Sequence, residues 1–190
     1  MTIFVDVDTQ LDFLAPAGAL YVPGAEGIVH ALGRLNRYAI DHNIPLLSTA
    51  DAHAENDPEF RQWPPHCVKG TLGQRKCAAT LTGSVTVLRS RSDRAAHLLV
   101  EKQSTDCFTN PTLDAWLKEN RPDRAIVYGV VTEICVRRAA FGLLRRGIPT
   151  VIVTDAVRCL DENQARAMFD EFLSAGGRLA TVSEICAAAA

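Results

Sequence analysis

Six short runs rich in apolar residues punctuate the chain: Ile3 to Val7, Pro45 to Thr49, His97 to Lys102, Ala125 to Val131, Thr150 to Val153 and Arg178 to Val182. Runs of this length, with apolar residues at successive positions, predict strands that are buried on both faces. Between most of them the pattern predicts helices, over Gly27 to Asn43, Leu113 to Asn120, Glu133 to Arg146 and Glu162 to Ala175. The third is closed by Gly147-Ile148-Pro149, a turn that cannot continue a helix. Strand and helix alternate, which predicts an α/β fold in three layers: a mostly parallel six-stranded sheet with helices on both faces. Asn56 to Pro65, with three prolines, predicts a long loop, and Ala187 to Ala190 a frayed tail.

Composition narrows the picture without changing it. A chain of 190 residues, 47% of them hydrophobic, is expected to form one domain over residues 1–190 with a sizeable core. Its 20 basic and 22 acidic residues leave a formal charge of -2, so there is no basic field to attract nucleic acid or an anionic membrane. Met1 to Val7 carries no basic leader, and no apolar stretch has the length of a membrane span, so a soluble, cytoplasmic protein is expected. Whether copies of the chain form a homo-oligomer is left open. Cys67, Cys77, Cys107, Cys135, Cys159 and Cys186 show neither paired nor zinc-ribbon spacing, and are expected to be free thiols.

In open parallel sheets ligands collect at the carboxyl ends of the strands, and four such places here carry unusual residues. After the first strand, Asp6 and Asp8 lie on one side if the strand stays regular; a carboxylate there either serves as general base or caps the following turn. After the second comes Asp51-Ala52-His53, with His66 beyond the prolyl loop. These residues suit a divalent ion, with Asp57 or Glu59 as a further oxygen ligand, or else a helix cap and a satisfied histidine. Lys102 ends the third strand, where it either snorkels or is itself a cation held near a thiol and a carboxylate, favouring thiolate. The strongest local signal is Tyr128 to Val136, an apolar strand that turns into a helix whose first turn holds Cys135. Backbone N–H groups and the helix dipole would lower a thiol's pKa there and form an oxyanion hole; the alternative is a buried structural cysteine.

Taken in order along nearly the whole chain, these segments resemble the nicotinamidase/isochorismatase-like cysteine hydrolases. Val7-Asp8-Thr9-Gln10-Leu11-Asp12-Phe13 is similar to the family's I-D-x-Q-x-D-F opening, and Gly18-Ala19-Leu20 with Val22-Pro23-Gly24-Ala25 continues it. Gly129-Val130-Val131-Thr132-Glu133-Ile134-Cys135-Val136 resembles the nucleophile turn G-V-x-T-x-x-C-V. Asp51-Ala52-His53 and Trp63-Pro64-Pro65-His66-Cys67-Val68 resemble the metal-binding segments of the nicotinamidase/pyrazinamidase branch. The resemblance implies a catalytic trio of Asp8, Lys102 and Cys135, a cis peptide between Val130 and Val131, and an oxyanion hole of the Val131 and Cys135 amides. It further implies ring-stacking walls at Phe13 and Trp63, and one divalent ion, zinc before iron or manganese, on Asp51, His53 and His66. Two departures stand out. Glu59 occupies the place where many bacterial members carry a further histidine ligand, and Gly70-Thr71-Leu72-Gly73-Gln74 continues the branch's pattern only in part.

The activity implied is hydrolysis of a small carboxamide, nicotinamide, to nicotinic acid and ammonia through a Cys135 thioester, as in NAD salvage. A metal-independent hydrolase of another small amide, ureide or carbamoyl compound would keep the trio and need no ring clamp. A noncatalytic metal-binding or thiol-sensing protein on the same fold would have no reason to keep all three.

Overall fold

The computed structural model describes residues 1–187. The chain runs β1 (Thr2–Val7), α1 (Leu11–Leu14), α2 (Val29–Asp41), β2 (Leu46–Asp51), β3 (Val85–Val87), β4 (His97–Lys102), α3 (Pro111–Asn120), β5 (Arg124–Val130), α4 (Arg137–Arg145), β6 (Thr150–Arg158), α5 (Glu162–Ser174), β7 (Arg178–Ala180) and α6 (Val182–Ala187). The strands form one sheet in the order β3-β4-β2-β1-β5-β6-β7, with every pairing parallel. The expected α/β architecture is therefore present, but with seven strands instead of six. The strand missed is β3, three residues of Val-Thr-Val at the sheet edge, too short to stand out as an apolar run.

Every position of β2 is buried, as are six of the seven in β5. Successive side chains of a strand point to opposite faces, so both faces of the sheet centre are covered. Local chemistry sets the helix starts: Asn110 accepts from the Thr112 N–H with Pro111 at the first helical position, and Asp161 accepts from Asn163 and Gln164. The predicted helix at Gly27 begins instead as a 3₁₀ turn, Ala25–Ile28, before α2 takes over. The helix predicted from Glu133 opens with a π turn, Thr132–Val136, and becomes α-helical only at Arg137. The tail expected from Ala187 starts as the last residue of α6, and 188–190 lie outside the described residues. No helix among the described residues is long and apolar enough to cross a membrane.

This topology matters because β1, β2, β4 and β5 are neighbours. Their carboxyl ends carry Asp8, Asp51, Lys102 and the Val130–Val131 turn, and parallel pairing brings all four to one edge; Asp51 lies directly opposite Lys102 in the β2–β4 register.

Candidate active site

Asp8 does not continue β1. Its φ of 51° places it in the left-handed region, so it leaves the strand and parts company with Asp6, which turns into a different buried network. The shared side expected of the two acids is thus lost to a change of backbone conformation at the strand's end. Asp8 is fully buried, and its Oδ2 lies 2.9 Å from Lys102 Nζ. The same ammonium contacts Asp51 and stands 3.9 Å from Cys135 Sγ. Sequence positions separated by more than a hundred residues thus converge on one cation.

The electrostatics follow from two buried carboxylates sharing one ammonium. Burial alone would push Lys102 down, but Asp51, Asp8 and Cys135 outweigh it and hold the lysine charged. Burial raises the Asp51 carboxyl to about 6, with Lys102 pulling against it and Asp8 adding to the rise. Burial likewise pushes the Cys135 thiol well above its ordinary value despite Lys102, and the charges of Asp8 and Asp51 add to the rise. The helix-terminus argument, which anticipated a lowered thiol pKa, is overturned because desolvation of a buried sulfur outweighs the amides around it. Cys107 is pushed up to about 12 by burial too, so burial does not single out the nucleophile. What distinguishes Cys135 is its place in the wall of a pocket with Lys102 behind it.

That turn has tight backbone requirements. Gly129 has φ 119°, and a Cβ there would lie 2.1 Å from the Val7 carbonyl oxygen, so no side chain fits. The next peptide, Val130–Val131, is cis. The Val131 carbonyl accepts from the Ile134 and Val136 N–H groups and closes the turn that carries Cys135.

The pocket above the thiol encloses about 360 Å³ of atom-free space, part of it open to solvent. Phe13, Leu20, Val22, Trp63 and Ile134 make it largely apolar, while Asp51, His66 and Glu59 bring polar groups to one side. Phe13 is buried and Trp63 half-buried, and the Phe13 ring centroid is 5.5 Å from that of His66. An apolar slot with few polar groups suits a small flat ligand.

Asp51, His53 and His66 offer ligand atoms that all lie within 4.8 Å of one another. His53 Nε2 is 4.0 Å from Asp51 Oδ1, and His66 Nε2 is 3.8 Å from Asp51 Oδ2; these separations are too long for hydrogen bonds but suit ligands about 2.0–2.2 Å from a common ion. The tautomers agree. His66 Nδ1 lies 2.8 Å from the Pro64 carbonyl, which can only accept, so that nitrogen carries the proton and Nε2 keeps its lone pair. His53 Nδ1 faces Asp57 Oδ2 at 3.0 Å, though neither of its buried ring nitrogens makes a well-directed hydrogen bond, and Nε2 is left free. Burial, followed by the Pro64 hydrogen bond working against it, leaves the His66 pKa below its ordinary value, so the imidazole is neutral. Two carboxylates against one lysine leave negative charge for a cation to offset, so these residues fit a divalent metal. Glu59 stands outside the three-residue cluster; it is half-buried, lines the pocket, and burial raises its pKa.

Two supporting residues were quoted in the sequence without their roles, and a third was given a different one. Gln10 grips the end of β2 from both sides, donating to the Asp51 carbonyl at 2.8 Å and accepting from the Asp51 N–H at 2.7 Å. Asp12 accepts from the Ala19 and Cys67 N–H groups at 2.9 and 2.6 Å and so ties the Leu20 loop to the His66 loop. Asp57, expected as a possible oxygen ligand, stands outside the three-residue cluster and faces His53 Nδ1 instead, while its other oxygen accepts from the Glu59 N–H at 2.9 Å. Polar residues among apolar neighbours were the available signal for Gln10 and Asp12; for Asp57 it was the four-residue spacing from His53.

Comparison with known proteins adds to this geometry. A family model described as "Isochorismatase domain" matches residues 2–184. The nicotinamidase/pyrazinamidase of Mycobacterium tuberculosis is 27% identical, over 98% of this chain and 99% of that one. The pyrazinamidase of Pyrococcus horikoshii, solved in complex with zinc, superposes with a TM-score of 0.81 at 26% identity, covering 95% of this chain and 98% of that one. The N-carbamoylsarcosine amidase of Thermoplasma acidophilum superposes with a TM-score of 0.79, also at 26% identity, over 95% and 96% of the two chains.

Proposed function

The chain belongs to the isochorismatase domain family, and from that premise we propose that it is a nicotinamidase, cleaving nicotinamide to nicotinic acid and ammonia. It is a hydrolase with amidase relatives; the particular substrate is our reading. One observation carries it: a buried Asp8–Lys102–Cys135 cluster whose thiol lines an apolar pocket that Asp51 and His66 line as well. We read residues 1–190 as one catalytic domain working in the cytoplasm on a small carboxamide, with neither nucleic acid nor membrane as partner.

In this mechanism the thiol is protonated at rest, because burial raises its pKa, and Asp8 takes its proton as the sulfur attacks the carboxamide carbon. The Val131 and Cys135 N–H groups receive the oxyanion. Asp8 then returns the proton to departing ammonia, and a thioester to Cys135 remains. Asp8 next activates water, and the acid leaves. Lys102 holds the charges of the trio in place. Phe13 and Trp63 hold the ring, and a 1 Å error in that placement would cost on the order of 10²-fold in rate. Asp51, His53 and His66 would hold a divalent ion, zinc by analogy with the P. horikoshii structure, which when bound orients the substrate by attracting its ring nitrogen. Glu59 stands ready as an added oxygen ligand or as a polar group of the pocket wall.

Ammonia release from nicotinamide tests the reading: the protein should turn it over and Cys135→Ala should not. No release by metal-loaded protein would remove nicotinamide as substrate. The second reading, a hydrolase of a carbamoyl or ureide compound, is favoured by a superposition on the N-carbamoylsarcosine amidase at the same identity as on the pyrazinamidase. Turnover of such a compound by metal-free protein, with nicotinamide inert, would put it first.

A further inference from the structure

Behind the trio lies a second buried ion pair that the mechanism does not use. Asp6, on β1, is fully buried, and its Oδ2 lies 3.2 Å from Nζ of Lys76, which is 7% exposed. The same oxygen accepts from Asn36 Nδ2 at 3.0 Å and Ser48 Oγ at 3.1 Å. Burying such a pair carries a desolvation cost that the hydrogen bonds around it offset. It reaches toward the active site through the Thr49 carbonyl, to which Lys76 Nζ donates at 3.2 Å.

Thr49 in turn holds Asp8. Its hydroxyl donates to Asp8 Oδ1 at 2.6 Å, and the Asp8 N–H reaches the Thr49 hydroxyl at 3.2 Å and carbonyl at 3.3 Å. These contacts pin both the side chain and the left-handed backbone of Asp8. They also make its two oxygens different. Oδ1 is occupied by a hydroxyl that has a single proton to give, whereas Oδ2 is buried, makes no hydrogen bond and has only its ion contact with Lys102.

We propose that Thr49 is a positioning residue, anchored by the buried Asp6–Lys76 pair, that occupies Oδ1 of Asp8 and so directs proton exchange with Cys135 to Oδ2. This rests on the assignment of Asp8 as the proton carrier. Without the Thr49 hydroxyl the carboxylate turns about its own axis, and the oxygen that meets the thiol is no longer fixed.

The experiment compares kcat and KM for nicotinamide, with the thermal midpoint as control, in the metal-loaded wild type and in Thr49→Val, Thr49→Ser, Lys76→Met and Asp8→Ala. Valine keeps the shape of threonine and loses only the hydroxyl. Thr49→Val should lower kcat by about 10- to 100-fold, the scale of a misplaced catalytic group, while KM stays within about 2-fold because Thr49 does not line the substrate pocket. Thr49→Ser should restore most of the rate, and Lys76→Met should lower kcat with KM unchanged. Should Lys76→Met fail to fold, the double variant Asp6→Leu with Lys76→Met buries no charge and carries the same readout. Wild-type kcat in Thr49→Val, or an equal loss in Thr49→Ser, would overturn the proposal, the latter by assigning the effect to the lost methyl. Full activity in Asp8→Ala is a separate outcome that removes the premise itself.

Discussion

Replacing Lys102 with methionine keeps most of the side chain's length and removes its charge, leaving Asp8 and Asp51 buried together without the ammonium that touches both. Removing one partner of a buried pair costs about 3–5 kcal/mol. For a protein of this size each kcal/mol lowers the midpoint by roughly 2–4 °C, so the variant should melt about 6–20 °C below the wild type. The deficit carries a pH signature. Asp51 already titrates at about 6 with Lys102 pulling it down, so losing the lysine raises it further. A carboxyl whose folded pKa exceeds its unfolded value of about 3.9 favours folding fully below that unfolded value, and this contribution is lost as pH rises through the folded pKa. The deficit should therefore be largest above about pH 7 and shrink toward about pH 5. Calorimetry of both proteins in the presence of a chelator at those two pH values measures it, the chelator preventing a metal at Asp51 from replacing the lost cation. A deficit that is constant, or that grows on acidification, would refute the picture of two carboxylates sharing one ammonium. Turnover should fall by about 10²–10³-fold or more, as for loss of a preorganised charge at a reacting centre.

Cys135→Ala should abolish ammonia release with the midpoint nearly unchanged, whereas Cys67→Ala and Cys107→Ala should remain active; equal loss in either would identify a different nucleophile. Purified protein should hold about one divalent ion per chain, and chelation or His53→Ala should raise KM more than either changes alkylation of Cys135. Asp57→Asn should weaken that ion's binding by about 10–100-fold in a chelator competition, because His53 loses the carboxylate that orients it; unchanged affinity would reduce Asp57 to a turn cap. Since a proton competes with the metal for Asp51, affinity should fall as pH drops below about 6 and level off above it; a flat profile through that range would argue against Asp51 as a ligand.

Those features that depend on neighbours in the chain were legible in the sequence. Apolar runs marked six of the seven strands because burial on both faces demands continuous hydrophobicity; Val85–Val87 escaped because three residues at an edge make no such demand. Asp8, Lys102 and Cys135 could be picked out because each follows an apolar strand, and strand ends in a parallel sheet are where ligands bind. Tertiary structure decided what each residue faces. Asp6 and Asp8, two positions apart, serve different networks because the backbone turns left-handed at the second. Cys135 looked like an activated thiol from its helix turn, yet complete burial raises its pKa instead, and burial is a property of everything packed around a residue. Thr49 shows the same limit: it hydrogen-bonds Asp8 at 2.6 Å only because β2 pairs with β1 and so brings together residues distant in sequence. Secondary structure follows from short-range periodicity, which a sequence displays directly. The chemistry of a buried site follows from long-range contacts and the exclusion of water, and these exist only once the chain has folded.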